Sequence, residues 1–323
     1  MHTILLQISL DPHDLALLRK EFPQYRIVYS QFAPLLGKES SHEKEWSQVE
    51  IFYGNRLSVH QMMLAKDLRW VHNTTSSFSR ICLEDILKRD NVIVTIPGDE
   101  NIIPIGEYVM GGILGISKNL FHWHDLMSAP AKVWDANWRD SMWTLSNKTF
   151  LQIGLGKIGS EICRRARQYD MKVWGMQEKR SFHPHCHETF TFDSLESILP
   201  LVDIVSVCLD RDHPKPNLFN MSELNLMKNN SILIVIGAHN VVNEQALVSI
   251  GSAGKFRGVI LDTLYSPSIP PNSPLWKVPN LLITPEVASR PRLSSRQGFH
   301  TFYYNLRQYS IGNFSDMRNR VER

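Results

Sequence analysis

The chain has 323 residues, 43% of them hydrophobic and 21% charged, with a formal net charge of +3 and a pI near 8.6. The length suggests about two domains, and the composition suits a globular protein able to bury a large core. The small net charge comes without a dense Lys/Arg stripe, which argues against a nucleic-acid surface, and no apolar run approaches membrane-spanning length.

The N-terminal ILLQISL lacks the charged start and cleavage site of a secretory signal. Cys82, Cys163, Cys186 and Cys208 are scattered with no CxxC, and read as reduced thiols of a cytoplasmic protein. Strand patterns are expected at Ile4–Ile8, Arg26–Tyr29, Glu50–Tyr53, Arg69–His72 and Val92–Ile96. Helical patterns alternate with them at Asp14–Phe22, Val59–Lys66 and Leu83–Lys88. That alternation implies a parallel sheet covered by helices. Gly37 to Gln48 is polar and reads as an exposed loop or short helix. Pro104 then opens a helix whose Ile105, Val109, Ile113, Ile116 and Leu120 recur on one face. His122 to Met142, rich in tryptophan, is weakly periodic and reads as irregular.

The most informative stretch is TFLQIGLGKIGSEICRRARQYDMKVWGMQ, from Thr149 to Gln177. An apolar run to Ile153 ends in Gly154-Leu155-Gly156-Lys157-Ile158-Gly159, followed by a helical pattern from Ser160 to Tyr169 and a second apolar run from Met171 to Met176. Strand, glycine turn, helix and strand make the unit that binds a dinucleotide. Gly154 permits the tight turn, Gly156 lets the backbone approach a pyrophosphate, and Gly159 lets the helix pack close to the strand. The helix start adds N–H donors and the positive end of its dipole. Further strands are expected at Asp203–Leu209, Ser231–Gly237, Gly258–Leu264 and Leu281–Thr284. Helices are expected at Ser194–Leu199, Ser222–Met227 and Glu244–Ile250, and a last helix at Arg292–Tyr309.

From Leu68 to Ser289 the chain resembles the D-2-hydroxyacid dehydrogenase family. LRWVHNTT, PIGEYVMGGIL, the glycine turn, SILIVIGAHNVVNEQAL, FRGVILDTL and NSPLWKVPNLLITPEVA carry the resemblance, in the family's order and spacing. It implies an α/β protein of two doubly wound parallel-sheet domains. One is a flavodoxin-like outer domain (residues 1–103 plus 292–323), the other a Rossmann dinucleotide-binding domain (104–291). It also implies a nicotinamide cofactor, a small-molecule substrate and a homodimer. Gly154, Gly156 and Gly159 match the pyrophosphate turn, with Lys157 and Ile158 where backbone N–H groups face the phosphates. Asp262 matches an aspartate near the nicotinamide amide. Where members preferring NAD carry an acidic residue for the ribose, this chain has Gln177, followed by Glu178, Lys179 and Arg180. A carboxylate there repels a 2′-phosphate and glutamine does not, while Lys179 or Arg180 can hold one. The balance tilts to NADP over NAD.

The catalytic positions depart from the family. Its arginine falls on Ala238, its glutamate on Pro267 and its histidine on Glu286. The loop that receives a substrate carboxylate reads Thr75-Ser76-Ser77 in place of glycines. In the family the arginine grips that carboxylate through a charge-assisted fork, and the histidine exchanges a proton with the 2-oxygen. Two unit negative charges about 4 Å apart repel by roughly 4 kcal/mol at an effective dielectric of about 20, so an ionised Glu286 disfavours a 2-keto acid. Two readings follow. In one, the chain is an oxidoreductase of altered chemistry, with Glu286, His239 and Asp210 as candidate catalytic groups. Glu286 then serves as a buried general acid or pairs with a cationic amine or imine. Against this, Glu286 can simply pair with Arg290 or Arg292, Asp210 with Arg211, and His239 can be a solvated loop residue. In the other reading the chain binds a dinucleotide without turnover, as a scaffold or redox sensor. His183-Pro184-His185-Cys186-His187-Glu188 resembles a metal site in composition, but adjacent ligands in one short loop rarely converge on a tetrahedron. No metal is expected.

Overall fold

The structure, a computed structural model, describes residues 2–29, 46–75, 78, 80–98, 101–128, 141–209, 216–238, 240–262, 269–289 and 292–322. Two compact units emerge: Met1–Glu100 with Arg292–Arg323, and Asn101–Pro291.

The first unit is a five-stranded parallel sheet of β1 (His2–Leu6), β2 (Tyr25–Tyr29), β3 (Val49–Gly54), β4 (Trp70–Asn73) and β5 (Ile93–Thr95). Its spatial order is β2-β1-β3-β4-β5, the flavodoxin-like order. The period-two rule sorts its side chains. Ile4, Leu6, Ile51 and Trp70 face one side, against Leu18 of α1 (Pro12–Glu21) and Phe302 and Leu306 of the chain's last helix, Arg292–Ser310. Leu5, Phe52, Val71 and Val94 face the other, against Met62 of α2 (Val59–Leu64) and Ile86 of α3 (Leu83–Leu87). Asp11 caps α1 by accepting from the His13 N–H, and Ser58 and Gln61 form a capping box on α2. Of the polar Gly37–Gln48 stretch, residues 37–45 lie outside the described residues.

The second unit has seven parallel strands: β6 (Thr149–Ile153), β7 (Lys172–Met176), β8 (Glu188–Phe190), β9 (Ile204–Leu209), β10 (Ser231–Gly237), β11 (Phe256–Leu261) and β12 (Leu281–Ile283). Their order is β12-β11-β10-β9-β6-β7-β8. The chain winds outward through β7 and β8, returns to β9 on the other side of β6, and winds outward again. The order therefore reverses between β6 and β9, the switch point where ligands of such sheets bind. Both faces are covered, so the strands are continuously apolar rather than alternating. Phe150, Ile204, Ile232, Ile234 and Ile260 pack under α4 (Ile102–Ser117) and, after α5 (Leu120–Ser128), under α6 (Lys157–Arg167). Leu151, Ile153, Val205, Leu233 and Val235 pack against Ala246, Leu247 and Ile250 of the helix Glu244–Ser252 on the other face.

Three local expectations need correction. Helix α4 begins at Ile102, not at Pro104, because proline is tolerated throughout a first turn whose N–H groups have no helical partner. Leu120 does not continue its apolar stripe. Asn119 adopts a left-handed φ of 54°, which ends α4 and starts α5 in a new direction, leaving Leu120 exposed. The start of the stretch read as irregular is therefore helical, up to Ser128. Strand β8, only three residues long, was too short for a periodic pattern. No described helix is long and apolar enough to cross a membrane.

Candidate dinucleotide site and the Asp262 anchor

The glycine turn leaves the carboxyl end of β6 at the switch point. Gly154 has φ 88°, and a Cβ there would overlap the Cys208 carbonyl of β9. A Cβ at Gly159 would overlap the Gly154 carbonyl. These two glycines are required by the chain's own packing. Gly156 is different: its φ of −64° suits any residue, and a Cβ would meet nothing within 4 Å. The chain leaves open the space that a diphosphate would need in order to approach the backbone.

Helix α6 starts on that open space. Gly156 is its N-cap without a side-chain cap, and no acidic residue occupies its first turn. Its basic residues Arg164, Arg165 and Arg167 sit in the last turn, complementing the dipole. Lys157, at the first helical position, is the exception and is exposed. A cation there runs against the dipole unless an anion offsets it. Beneath the turn, the fully buried Gln152 donates Nε2 to the carbonyls of Ile153 and Gly154, at 3.0 and 3.3 Å. Its role was not apparent from sequence, where it is one polar letter in an apolar strand.

Gln177, expected from the resemblance to meet the ribose, follows directly on β7. Its N–H donates to Phe190 O and its Nε2 to Ser181 Oγ at 2.6 Å, closing a short turn over Glu178, Lys179 and Arg180. All three turn residues are exposed.

Asp262, just beyond β11, is 4% exposed. Its Oδ1 accepts from Thr284 Oγ1 at 2.6 Å and from the Val287 N–H at 2.8 Å, and its Oδ2 accepts from the Ala288 N–H at 2.9 Å. Thr284 has one hydroxyl proton and gives it to the carboxylate, so the Tyr108 hydroxyl, 2.5 Å away, donates to Thr284. Burial raises the Tyr108 pKa. Neither Tyr108 nor Thr284 was a candidate from sequence; tyrosine in an apolar helix face gives no signal of its own.

Glu286 lies inside the segment that Asp262 holds. It is half-buried, its N–H donates to Thr284 O at 3.1 Å, and its φ is 54°. That left-handed conformation costs a non-glycine residue about 1–2 kcal/mol, and the Asp262 hydrogen bonds on the next two residues maintain it. Ala238 is 1% exposed and packs in the core face of the sheet with Phe219 and Val241. Asp210, His239 and Pro267 lie outside the described residues, as do Ser76 and Ser77. Thr75 O accepts from Asn73 Nδ2 at 2.7 Å. Among the described residues no three His, Cys, Asp or Glu side chains are grouped to hold a metal.

A parallel sheet with its glycine turn at the switch point defines a Rossmann-type dinucleotide-binding unit. The family model for the NAD binding domain of D-isomer specific 2-hydroxyacid dehydrogenases matches residues 110–288, more than half of the chain, and the chain belongs to that family. It is 26% identical to a glyoxylate reductase of Thermofilum pendens, over 73% of this chain and 70% of that protein. It is 24% identical to a glyoxylate/hydroxypyruvate reductase B of Klebsiella pneumoniae, over 87% and 85%. Among solved structures, an acyclic imino acid reductase in complex with NADPH and D-Arg has the same fold, with a TM-score of 0.78 at 18% identity, covering 99% of this chain and 100% of that one. The chain is thus a dehydrogenase-like oxidoreductase with an NAD(P)-binding domain.

Proposed function

We propose that this chain is an NADP(H)-preferring oxidoreductase whose substrate carries a cationic C=N group, such as an imine, rather than an ordinary 2-keto acid. The observation that carries this reading is the Asp262 anchor. Three hydrogen bonds maintain a left-handed Glu286 where the family's histidine is expected, in a segment a pure scaffold has no need to hold. The residues present fit the cofactor. Gly154, Gly156 and Gly159 shape the turn, the backbone at Lys157 and Ile158 faces the diphosphate, and Lys179 or Arg180 takes the 2′-phosphate in place of an NAD-selective carboxylate.

When bound, the reduced nicotinamide supplies the hydride. Glu286 supplies the charge: a carboxylate attracts an iminium as strongly as it repels a keto acid's carboxylate. The resulting amine then needs no histidine to protonate an alkoxide. The solved structure of an acyclic imino acid reductase in complex with NADPH and D-Arg, which has this fold, supports a substrate of this class. Reduction of glyoxylate, after the relatives' names, is the less favoured activity, because the arginine position is a buried alanine.

That same alanine favours the second reading, a dinucleotide-binding protein without turnover. The test has two stages. NADPH and NADH are titrated by nicotinamide fluorescence, and NADPH consumption is then followed with cyclic and acyclic imines and with glyoxylate, in wild type and Glu286→Gln. Tighter NADPH binding and imine-dependent oxidation lost in Glu286→Gln support the proposal. Binding without turnover of any substrate supports the second reading. Glyoxylate reduction indifferent to Glu286→Gln overturns the first.

A further inference from the structure

Helix α6 and the loop that precedes β8 bring two thiols together behind the glycine turn. Cys163 is fully buried on α6, Cys186 is 9% exposed, and their sulfurs lie 3.7 Å apart. His183 places Nδ1 3.4 Å from Cys186 Sγ. The same nitrogen accepts the His185 backbone N–H at 3.3 Å. It therefore carries its lone pair, not a proton, and can receive the Cys186 thiol proton. Burial and the neighbouring His185 hold His183 below the ordinary histidine pKa. The pairing of the two sulfurs and the Arg167 charge draw the Cys186 thiol down, whereas that pairing and burial push Cys163 up. The two thiols are thus unequal, one suited to attack and the other to resolve. Arg167, in the last turn of α6, also donates to Pro184 O at 3.4 Å, tying the loop to the helix.

We propose that Cys163 and Cys186 form a reversible disulfide site driven by hydrogen peroxide, and that closing it weakens dinucleotide binding at the adjacent turn. Cys186 passes its proton to His183 Nδ1, and its sulfur attacks a peroxide oxygen. The O–O bond breaks, hydroxide leaves and takes the proton back as water, and Cys186 becomes a sulfenic acid. The Cys163 sulfur then attacks Cys186 sulfur. The S–O bond breaks, the S–S bond forms, and the hydroxide accepts the Cys163 proton. Two thiols lose two electrons, and one peroxide becomes two waters.

The coupling to the turn follows from what Cys186 rests on. A Cβ at Gly175 would stand 2.7 Å from Cys186 Sγ and 2.6 Å from Leu155 Cδ1, so the sulfur and Leu155 share one small space over that glycine. Leu155 is a residue of the glycine turn itself. A disulfide needs its sulfurs about 2.05 Å apart, so Cys186 and α6 must approach each other. That movement withdraws the support of Leu155 and shifts the helix whose first turn faces the diphosphate. This coupling rests on the dinucleotide reading above; the disulfide does not.

The test treats the native protein with hydrogen peroxide, blocks remaining thiols with N-ethylmaleimide, digests without reductant and maps the peptides by mass. The expected product joins the Cys163 and Cys186 peptides with loss of two hydrogens, and dithiothreitol reverses it. In Cys163→Ser, dimedone should trap Cys186 as its sulfenic acid; in Cys186→Ser, Cys163 should stay unmodified. NADPH affinity should fall at least severalfold on oxidation of the wild type and recover on reduction, and should not change on oxidation of Cys163→Ser. Peroxide that modifies Cys82 or Cys208 while leaving Cys163 and Cys186 as thiols overturns the site, and the wild-type map decides this without any variant folding. A mapped disulfide with unchanged NADPH affinity overturns the coupling alone. A reduced protein that binds no NADPH overturns the coupling together with the dinucleotide reading, while the mapped disulfide stands.

Discussion

Thr284 donates its hydroxyl proton to Asp262 Oδ1 at 2.6 Å, and the same oxygen accepts the Val287 N–H at 2.8 Å. With the Ala288 N–H on the other oxygen, both ends of the segment around Glu286 are fixed to one carboxylate. Bonds to an ionised acceptor are about twice as strong as neutral ones, which is why one side chain can hold a residue with a φ of 54°. Resemblance assigned Asp262 to the nicotinamide end alone. The structure adds that it sets the shape of the neighbouring segment, and the two roles are compatible because a carboxylate has four lone-pair directions.

Asp262→Asn should separate this anchoring from simple burial. The amide keeps one acceptor oxygen but turns an NH2 group toward a donor, so at least one of the Thr284, Val287 and Ala288 donors loses its partner. A buried unsatisfied donor costs about 1–3 kcal/mol. We expect stability to fall by about 2 kcal/mol in urea denaturation, with faster amide hydrogen exchange at Val287 and Ala288. Unchanged exchange at both would remove the anchor and with it the support for Glu286.

The glycine turn predicts opposite behaviour at neighbouring positions. Gly154→Ala places a Cβ on the Cys208 carbonyl at a φ of 88° and should destabilise the second unit by about 3 kcal/mol or more. Gly156→Ala meets no atom of the chain within 4 Å and should change stability by less than about 0.5 kcal/mol. Its cost should appear only with ligand, as NADPH affinity weakened by about tenfold, or ~1.4 kcal/mol. Thermal melts of both variants with and without NADPH give the comparison. A Gly156→Ala protein that binds like wild type would mean the open space is not where the diphosphate lies.

Much of this was legible because glycine and strand periodicity report backbone requirements directly. Gly154 and Gly159 are demanded by carbonyls less than a side chain away, and Phe150 and Ile153 by a sheet buried on both faces. The Tyr108–Thr284–Asp262 chain was not legible. It joins α4 to residues more than 150 positions later, and a hydroxyl leaves no periodic trace. Gln152 was silent for the same reason, and α5 because its run of aromatic and histidine residues blurs the helical period that the left-handed Asn119 makes possible.

Restoring the family's arginine should fail for a reason the sequence did not show. Ala238 is 1% exposed among apolar side chains, so Ala238→Arg must bury a charge there or displace Phe219 and Val241. We expect a loss on the order of 3 kcal/mol from overpacking and desolvation, read as a lower urea midpoint, and no gain of glyoxylate reduction. A stable Ala238→Arg protein that reduces glyoxylate would show that the pocket had kept the family's shape.

His72 predicts the pH dependence of the first unit. It is fully buried on β4, its ring stacked 5.4 Å from Tyr53. Thr95 Oγ1 accepts from Trp70 Nε1 at 2.8 Å and lies 2.8 Å from His72 Nδ1, so its own proton serves that nitrogen. Burial pulls the His72 pKa down to about 3 from an ordinary 6.5. Above the unfolded value both states are neutral and the group has no effect on stability. Between the two values the unfolded chain binds a proton that the folded one refuses, so stability falls as pH falls, by about 1.4 kcal/mol per unit. From pH 7.5 to pH 5 the loss attributable to His72 is therefore about 2 kcal/mol, most of it below the unfolded pKa. His72→Gln, which keeps a polar partner for Thr95, should remove that slope even though it lowers stability at neutral pH. Urea titrations of both proteins at the two pH values measure the difference of differences. A variant as sensitive to acid as the wild type would mean that His72 is protonated in the folded state, and that its Nδ1 does not accept from Thr95.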